Sequence, residues 1–236
     1  MNLDIHKDMV NVGEKVEFGF WKQSKKEKIY PIIWNVLDKK DDKILLLSQN
    51  SLEVMMFNTL NKKVTWQNSS IRKWLNEDFL NNAFSDKETV RIQDTLVTAD
   101  PNEKYDVDVG SDTVDKVFIL SIKEAEMYFK TNDNRICFAS NYAANQSSES
   151  EWFETNQRDW WLRTPGEIAI FDEERFDYDG VGVFEYDVND DLNETESVET
   201  EHYTMTFVDS NGNIRYRGMQ AYWRLYVRPA IWVSLK

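Results

Sequence analysis

Trp160-Trp161-Leu162-Arg163-Thr164-Pro165-Gly166 and Val227-Arg228-Pro229-Ala230-Ile231-Trp232 bracket the C-terminal third of this chain. Each block sets an arginine among residues that belong inside a protein, and arginine is rarely buried without a partner. The two blocks therefore predict the two ends of one buried β-structure, with a preformed acceptor for each guanidinium group. Asp112 or Asp115 is the expected acceptor for Arg228, so Trp160, Trp161, Arg163, Arg228, Asp112 and Asp115 are read as a structural set. On that pairing, Arg228→Leu would cost roughly 3 kcal/mol or more, because a buried pair would lose one partner. The other use of Arg163 and Arg228 is bidentate binding of a carboxylate or phosphate ligand.

Outward from these blocks, Tyr203 to Val208 and Asn213 to Arg217 flank Asn211-Gly212, a dipeptide that tolerates positive φ and marks a tight hairpin. A last strand is expected over Leu225 to Val233. Near the other end, Val16-Glu17-Phe18-Gly19-Phe20-Trp21 alternates as a half-buried strand. Pro31 to Leu37 and Lys43 to Ser48 follow as strands joined through Asp41-Asp42. Asn58 to Trp66 has the composition of a loop. A helix capped by Ser69 or Ser70 then buries Ile71, Trp74, Leu75, Phe79 and Leu80. Two further helices begin with capping boxes, Ser85-Asp86-Lys87-Glu88 and Ser121-Ile122-Lys123-Glu124, where serine and glutamate satisfy each other's backbone donors. Asp94 to Thr98 and Asp115 to Leu120 are expected as short strands.

With 236 residues, 41% hydrophobic and 14% aromatic, the chain can bury a sizeable core as a single domain over 1–236. Nine Trp, ten Tyr and thirteen Phe each cover a large area, which suits a fold with much irregular backbone. Cys137 is the one cysteine, so an intrachain disulfide and a thiolate metal cluster are both excluded. Flanked by Ile136 and Phe138, it has the setting of a small buried hydrophobe. Met1 to Asp8 lacks the basic and apolar regions of a signal peptide, and no apolar run nears the roughly 20 residues of a membrane helix. A cytoplasmic protein is expected from the chain as given, and an extracellular one if a leader has been removed.

Acidity is concentrated between Asp172 and Glu201, where 13 of the 42 acidic residues stand against one of the 28 basic ones, Arg175. This block repels phosphate backbones, so nucleic acid is not an expected partner. It has the character of a solvated insertion at about 172–201, with a calcium site or a docking surface for a basic protein as the sharper reading. Asp187, Asn189 and Asp191 match the first ligands of an EF-hand loop, but Leu192 stands where the turn needs Gly and Val198 where Glu should close the shell. Asp106, Asp108 and Asp112 around Gly110 could form an irregular cation loop, although Asp and Gly at such spacing more often make ordinary turns. No metal and no cofactor is expected. His6 and His202 are the only histidines, neither in the setting of a catalytic triad. There is no glycine-rich phosphate loop, and no residue is assigned a catalytic role.

A set of blocks along the chain carries a resemblance. Trp34 with Val36-Leu37, Leu45-Leu46-Leu47-Ser48, Trp66, Ser69 to Asn76, Phe79-Leu80, Ala83-Phe84, Asp112 to Ser121, Tyr142-Ala143 and the two arginine blocks occur in an order similar to that of the bacterial domain family DUF6273. The likeness covers nearly the whole chain. That family resembles, more distantly, the formylglycine-generating-enzyme and C-type-lectin-like folds. The resemblance implies an α+β domain of the C-type-lectin-like (sulfatase-modifying-factor-like) kind: a twisted, mostly antiparallel sheet with packed helices and long irregular loops. It also implies an early Trp-Arg strand paired with an Arg-containing closing strand. The oxidase chemistry of such enzymes needs two cysteines, and only Cys137 exists. The tripeptide signatures of calcium-dependent sugar-binding lectins are absent as well.

The functional expectation is a non-enzymatic recognition module for a protein or carbohydrate. Trp152, Phe153, Tyr222 and Trp223 are candidate ligand-binding rings because they neighbour polar, loop-like segments. Two alternatives belong to other classes: an enzyme related to the formylglycine-generating oxidoreductases, and an immunity-like acidic protein that binds a basic partner.

Overall fold

The computed structural model describes residues 10–146, 157–172 and 199–235. Five strands build a first sheet in the order β1 (Lys15–Lys22), β2 (Ile29–Lys40), β3 (Lys43–Ser48), β12 (Ala230–Ser234), β7 (Val117–Phe118). A second has the order β10 (Ile214–Gln220), β9 (Glu199–Val208), β8 (Trp160–Asp172), β11 (Arg224–Val227), β4 (Glu53–Met56). A ribbon of β5 (Thr95–Val97) and β6 (Thr113–Asp115) completes the β-structure. With short helices between the strands, the fold is α+β and mostly antiparallel. The exception among the named strands is β8 with β11, which meet in parallel where Tyr226 stands opposite Trp160. The two arginine blocks are thus neighbours in space.

The closing segment is two strands, where its composition predicted one. β11 ends at Val227 opposite Glu53 in the second sheet, and β12 starts at Ala230 opposite Leu47 and Phe118 in the first. Arg228-Pro229 makes the step between sheets, because proline has no N–H for a ladder and restricts the residue before it to extended backbone. β3 and β4 make the same passage alongside. The Ser48 N–H donates to the Pro229 carbonyl at 3.0 Å, and the Leu52 N–H to the Val227 carbonyl at 2.9 Å. Both crossings therefore run through one seam.

Elsewhere the local chemistry explains the elements. Asp41 takes a φ of 52° in the turn between β2 and β3. Gly19, at φ 69°, lies where the β1 register shifts against β2, and a Cβ there would meet Phe84 at 2.5 Å. Ser69 caps α1 (Ser70–Trp74) by accepting from the Arg72 N–H, and the helix continues through a π turn, Leu75–Phe79, into α2 (Leu80–Ala83). The capping box at Ser85 opens α3 (Asp86–Thr89) and that at Ser121 opens α4 (Ile122–Tyr128). α5 (Asn132–Arg135) and α6 (Asn141–Asn145) follow. The strand expected over Asp115 to Leu120 divides at Lys116, where Asn76 Oδ1 accepts from the N–H groups of Lys116 and Val117 in place of a neighbouring strand.

One core cluster draws on both sheets and on the helices. Trp34, Trp160, Trp161, Phe57, Phe79 and Phe118 are its largest fully buried side chains. Phe57 meets Trp161 edge-on at 5.7 Å, and Trp21 meets Phe79 at 4.9 Å. Packed rings of this size account for a fold with so few long helices. No helix among the described residues is long and apolar enough to cross a membrane.

Candidate functional site

Arg163 is held in a closed, fully served position. Its backbone N–H donates to the Leu120 carbonyl, which ties the middle of β8 to the start of α4. From there Nη1 donates to the Ile119 carbonyl at 2.9 Å and to Glu124, while Nη2 reaches Asp100 at 3.3 Å. Ser121 Oγ donates to the same Asp100 carboxylate at 2.8 Å, and Glu124 accepts from the Ser121 N–H in the capping box. The helix cap and the arginine thus share two carboxylates. All of these groups serve one another, so the arrangement braces the fold and leaves no donor for a ligand.

Arg228 is different, and it does not pair with Asp112 or Asp115. Asp115 is buried, and it accepts from Arg72 Nε at 2.8 Å, Trp66 Nε1 at 2.9 Å and Thr113 Oγ1 at 2.6 Å. Asp112 accepts from the Ala99 N–H at 2.8 Å across the β5–β6 ribbon. The side chain of Asp115 faces the helix that carries Arg72, which is why closeness in sequence to β7 misleads. Arg228 donates from Nε to the Ser48 carbonyl at 3.0 Å and lies 5.1 Å from the Trp160 ring and 5.6 Å from that of Phe129. Burial pushes its pKa below the ordinary guanidinium value. The Trp160 and Trp161 ring N–H groups donate to the carbonyls of Arg135 and Met55.

Of the candidate ligand-binding rings, Trp152 and Phe153 lie outside the described residues, as does most of the acidic block. Trp223 is 51% exposed. Tyr222 beside it is half-buried, with its hydroxyl 3.0 Å from His202 Nδ1. The turn that carries them is tied to Asn58, whose N–H donates to the Ala221 carbonyl at 2.9 Å, and Asn58 in turn lines a groove that no sequence pattern announced. That groove, of about 480 Å³, is lined by the amides and hydroxyls of Asn58, Gln67, Asn68, Ser70 and Asn76 and by the charged Lys62, Arg72, Lys73 and Glu77. Asn58 Oδ1 accepts from the N–H and hydroxyl of Ser70, fixing one wall to the start of α1. The run Gln67-Asn68-Ser69-Ser70 was the available signal, but Ser69 and Ser70 read as the cap of the helix that follows.

A second group of titratable residues gathers where β1, β4 and α6 approach. Burial raises the Glu53 carboxyl above its ordinary range, against a hydrogen bond from the Val54 N–H, another from Tyr142 and the charges of Lys22 and Arg224. Burial, and then Glu53, raises the Tyr142 hydroxyl in turn. The Lys22 ammonium stands 5.4 Å from the Tyr142 ring and 3.0 Å from the Glu27 carboxylate. Asp106 and Asp108 remain near a simple turn, in which Asp108 accepts from the Gly110 N–H and pairs with Lys63 at 2.7 Å.

No curated protein and no solved structure matches the chain. The family model described as "Domain of unknown function (DUF6273)" matches residues 41–235, so that β1 and β2 precede the matched region. That match spans most of the sequence, and the chain belongs to the DUF6273 family.

Proposed function

We propose that the protein is a non-enzymatic recognition module whose groove beside Asn58 takes a hydroxyl-rich ligand of the carbohydrate class. The observation that carries this reading is the composition of the groove wall. Amides and hydroxyls, each able to donate and accept, share with the charged Lys62, Arg72, Lys73 and Glu77 the wall of an opening of about 480 Å³, within the range of small-molecule sites. Trp223, on the turn bonded to Asn58, offers an exposed indole of the kind that stacks on sugar rings. The finer fold reading, a C-type-lectin-like domain, is supported by the Trp-Arg strand β8 lying beside the Arg-containing closing segment.

The oxidoreductase alternative has less support, since Cys137 is 1% exposed and its sulfur lies 3.2 Å from Ser51 Oγ in the interior. The immunity-like alternative rests on the charge of the 172–201 block, and deletion of 185–200 separates it from the groove reading. The direct test titrates the protein with a panel of neutral oligosaccharides while following tryptophan fluorescence. A saturable change is expected, lost in Trp223→Ala and about tenfold weaker in Gln67→Ala. Binding that both variants leave untouched, or no response across the panel, rejects the groove.

A further inference from the structure

The seam where β3–β4 and β11–β12 pass between the sheets collects hydrogen-bond donors that lack acceptors. Arg228 is 3% exposed, and among the described residues its fully buried Nη1 has no hydrogen-bond partner. Ser48, whose carbonyl accepts from Arg228 Nε, is closed to solvent, and its own Oγ is likewise without a partner. Two buried donors therefore belong to residues in direct contact at one crossing.

Charge decides what these donors await. Among the described residues no carboxylate pairs with Arg228: Asp100 and Glu124 are taken by Arg163, Asp115 by Arg72 and Asp209 by Arg215. The Trp160 and Phe129 rings lie 5.1 and 5.6 Å from the cation and attract it through their faces. Burying an ion costs more than such contacts return, so the rings and one carbonyl leave much of the penalty uncompensated. Cys137, the one acidic group among the described residues whose charge bears on Arg228, directs its thiol toward Ser51 Oγ and the carbonyls of Gln49 and Phe138.

We propose that the seam binds a small monatomic anion of the halide class, held by Arg228 Nη1 and Ser48 Oγ. A water molecule would satisfy the hydrogen bonds but leave the guanidinium charge unbalanced, whereas a halide does both. Closure of both donor atoms to solvent favours a single atom over an oxyanion. Bound there, the ion ties the crossing of one strand pair to that of the other, and so couples the two sheets.

Two measurements test this. Crystals of the full chain grown with bromide in place of chloride should give an anomalous peak within hydrogen-bond reach of both atoms. In solution, chloride added to protein in gluconate at constant ionic strength should raise the melting temperature saturably. Ser48→Ala keeps the carbonyl that accepts from Arg228, so it should fold and need about tenfold more chloride, while Arg228→Gln should lose the response. A bromide peak that Ser48→Ala does not weaken, with melting indifferent to chloride, would mark an adventitious ion only. Water at the site, or a Cys137 thiolate seen in ultraviolet difference spectra at neutral pH, would also overturn the assignment.

Discussion

Arg163 and Arg228 are equally buried, each 3% exposed, and the protein serves them in opposite ways. Arg163 sits where a helix cap, a loop and a strand converge, and it finds two carboxylates and two carbonyl groups there. Arg228 sits at a crossing between sheets, where backbone groups are already spent on each other, and it finds one carbonyl and two aromatic faces. Burial alone is therefore a poor guide to pairing. What surrounds a buried charge depends on which elements end beside it.

The largest expected effect is at the first of these centres. Arg163→Met leaves Asp100 and Glu124 without the cation they share, and it should lower unfolding free energy by about 3 kcal/mol or more in urea melts. Arg163→Lys should recover only part of the loss, because an ammonium group cannot span Asp100, Glu124 and the Ile119 carbonyl together. A loss below about 1 kcal/mol for Arg163→Met would erase the distinction between the two arginines.

At the second centre the same substitution should be milder. Arg228→Met removes the donor to the Ser48 carbonyl, a cost of about 1–3 kcal/mol, but it also removes a charge whose burial is only partly compensated. A net loss of about 1 kcal/mol is expected, measured in gluconate without halide. This is smaller than the pairing with Asp112 or Asp115 implied, because removing Arg228 strands no buried carboxylate among the described residues. Equal losses for Arg163→Met and Arg228→Met would break the comparison outright.

Local signals in the sequence were legible where residues three or four apart settle the structure. Ser121 with Glu124, Ser85 with Glu88 and Ser69 at its cap each act within one helical turn. The adjacency of the two arginine blocks was legible too, since both carry the apolar character of interior strands. The choice of acid for each arginine was not. Asp100, Asp112 and Asp115 lie within sixteen residues of one another, and only the fold decides that Arg163 meets the first and Arg72 the last. The break at Pro229 could have been read from its missing N–H. The groove could not, because Asn58 and Asn76 become neighbours of one opening only after the chain between them has turned into α1.

The smallest expected effect carries the comparison over to the opposite charge. If compensation rather than burial sets the cost at a buried ion, Glu53 should behave as an acidic counterpart of Arg228. Lys22 and Arg224 are near, yet burial raises the Glu53 carboxyl from its ordinary value of 4.5. A carboxyl raised in the folded state disfavours folding once it is ionised, so its penalty is present above the folded pKa and vanishes below 4.5. Glu53→Gln should therefore stabilise the protein at neutral pH by a small amount, within about 1 kcal/mol given its partial exposure. The gain should fade as the pH drops below that value, and urea midpoints for both proteins across that range would show it. A variant less stable than the parent at neutral pH would mean that Lys22 and Arg224 outweigh burial, and that Arg228 is exceptional because no carboxylate among the described residues pairs with it.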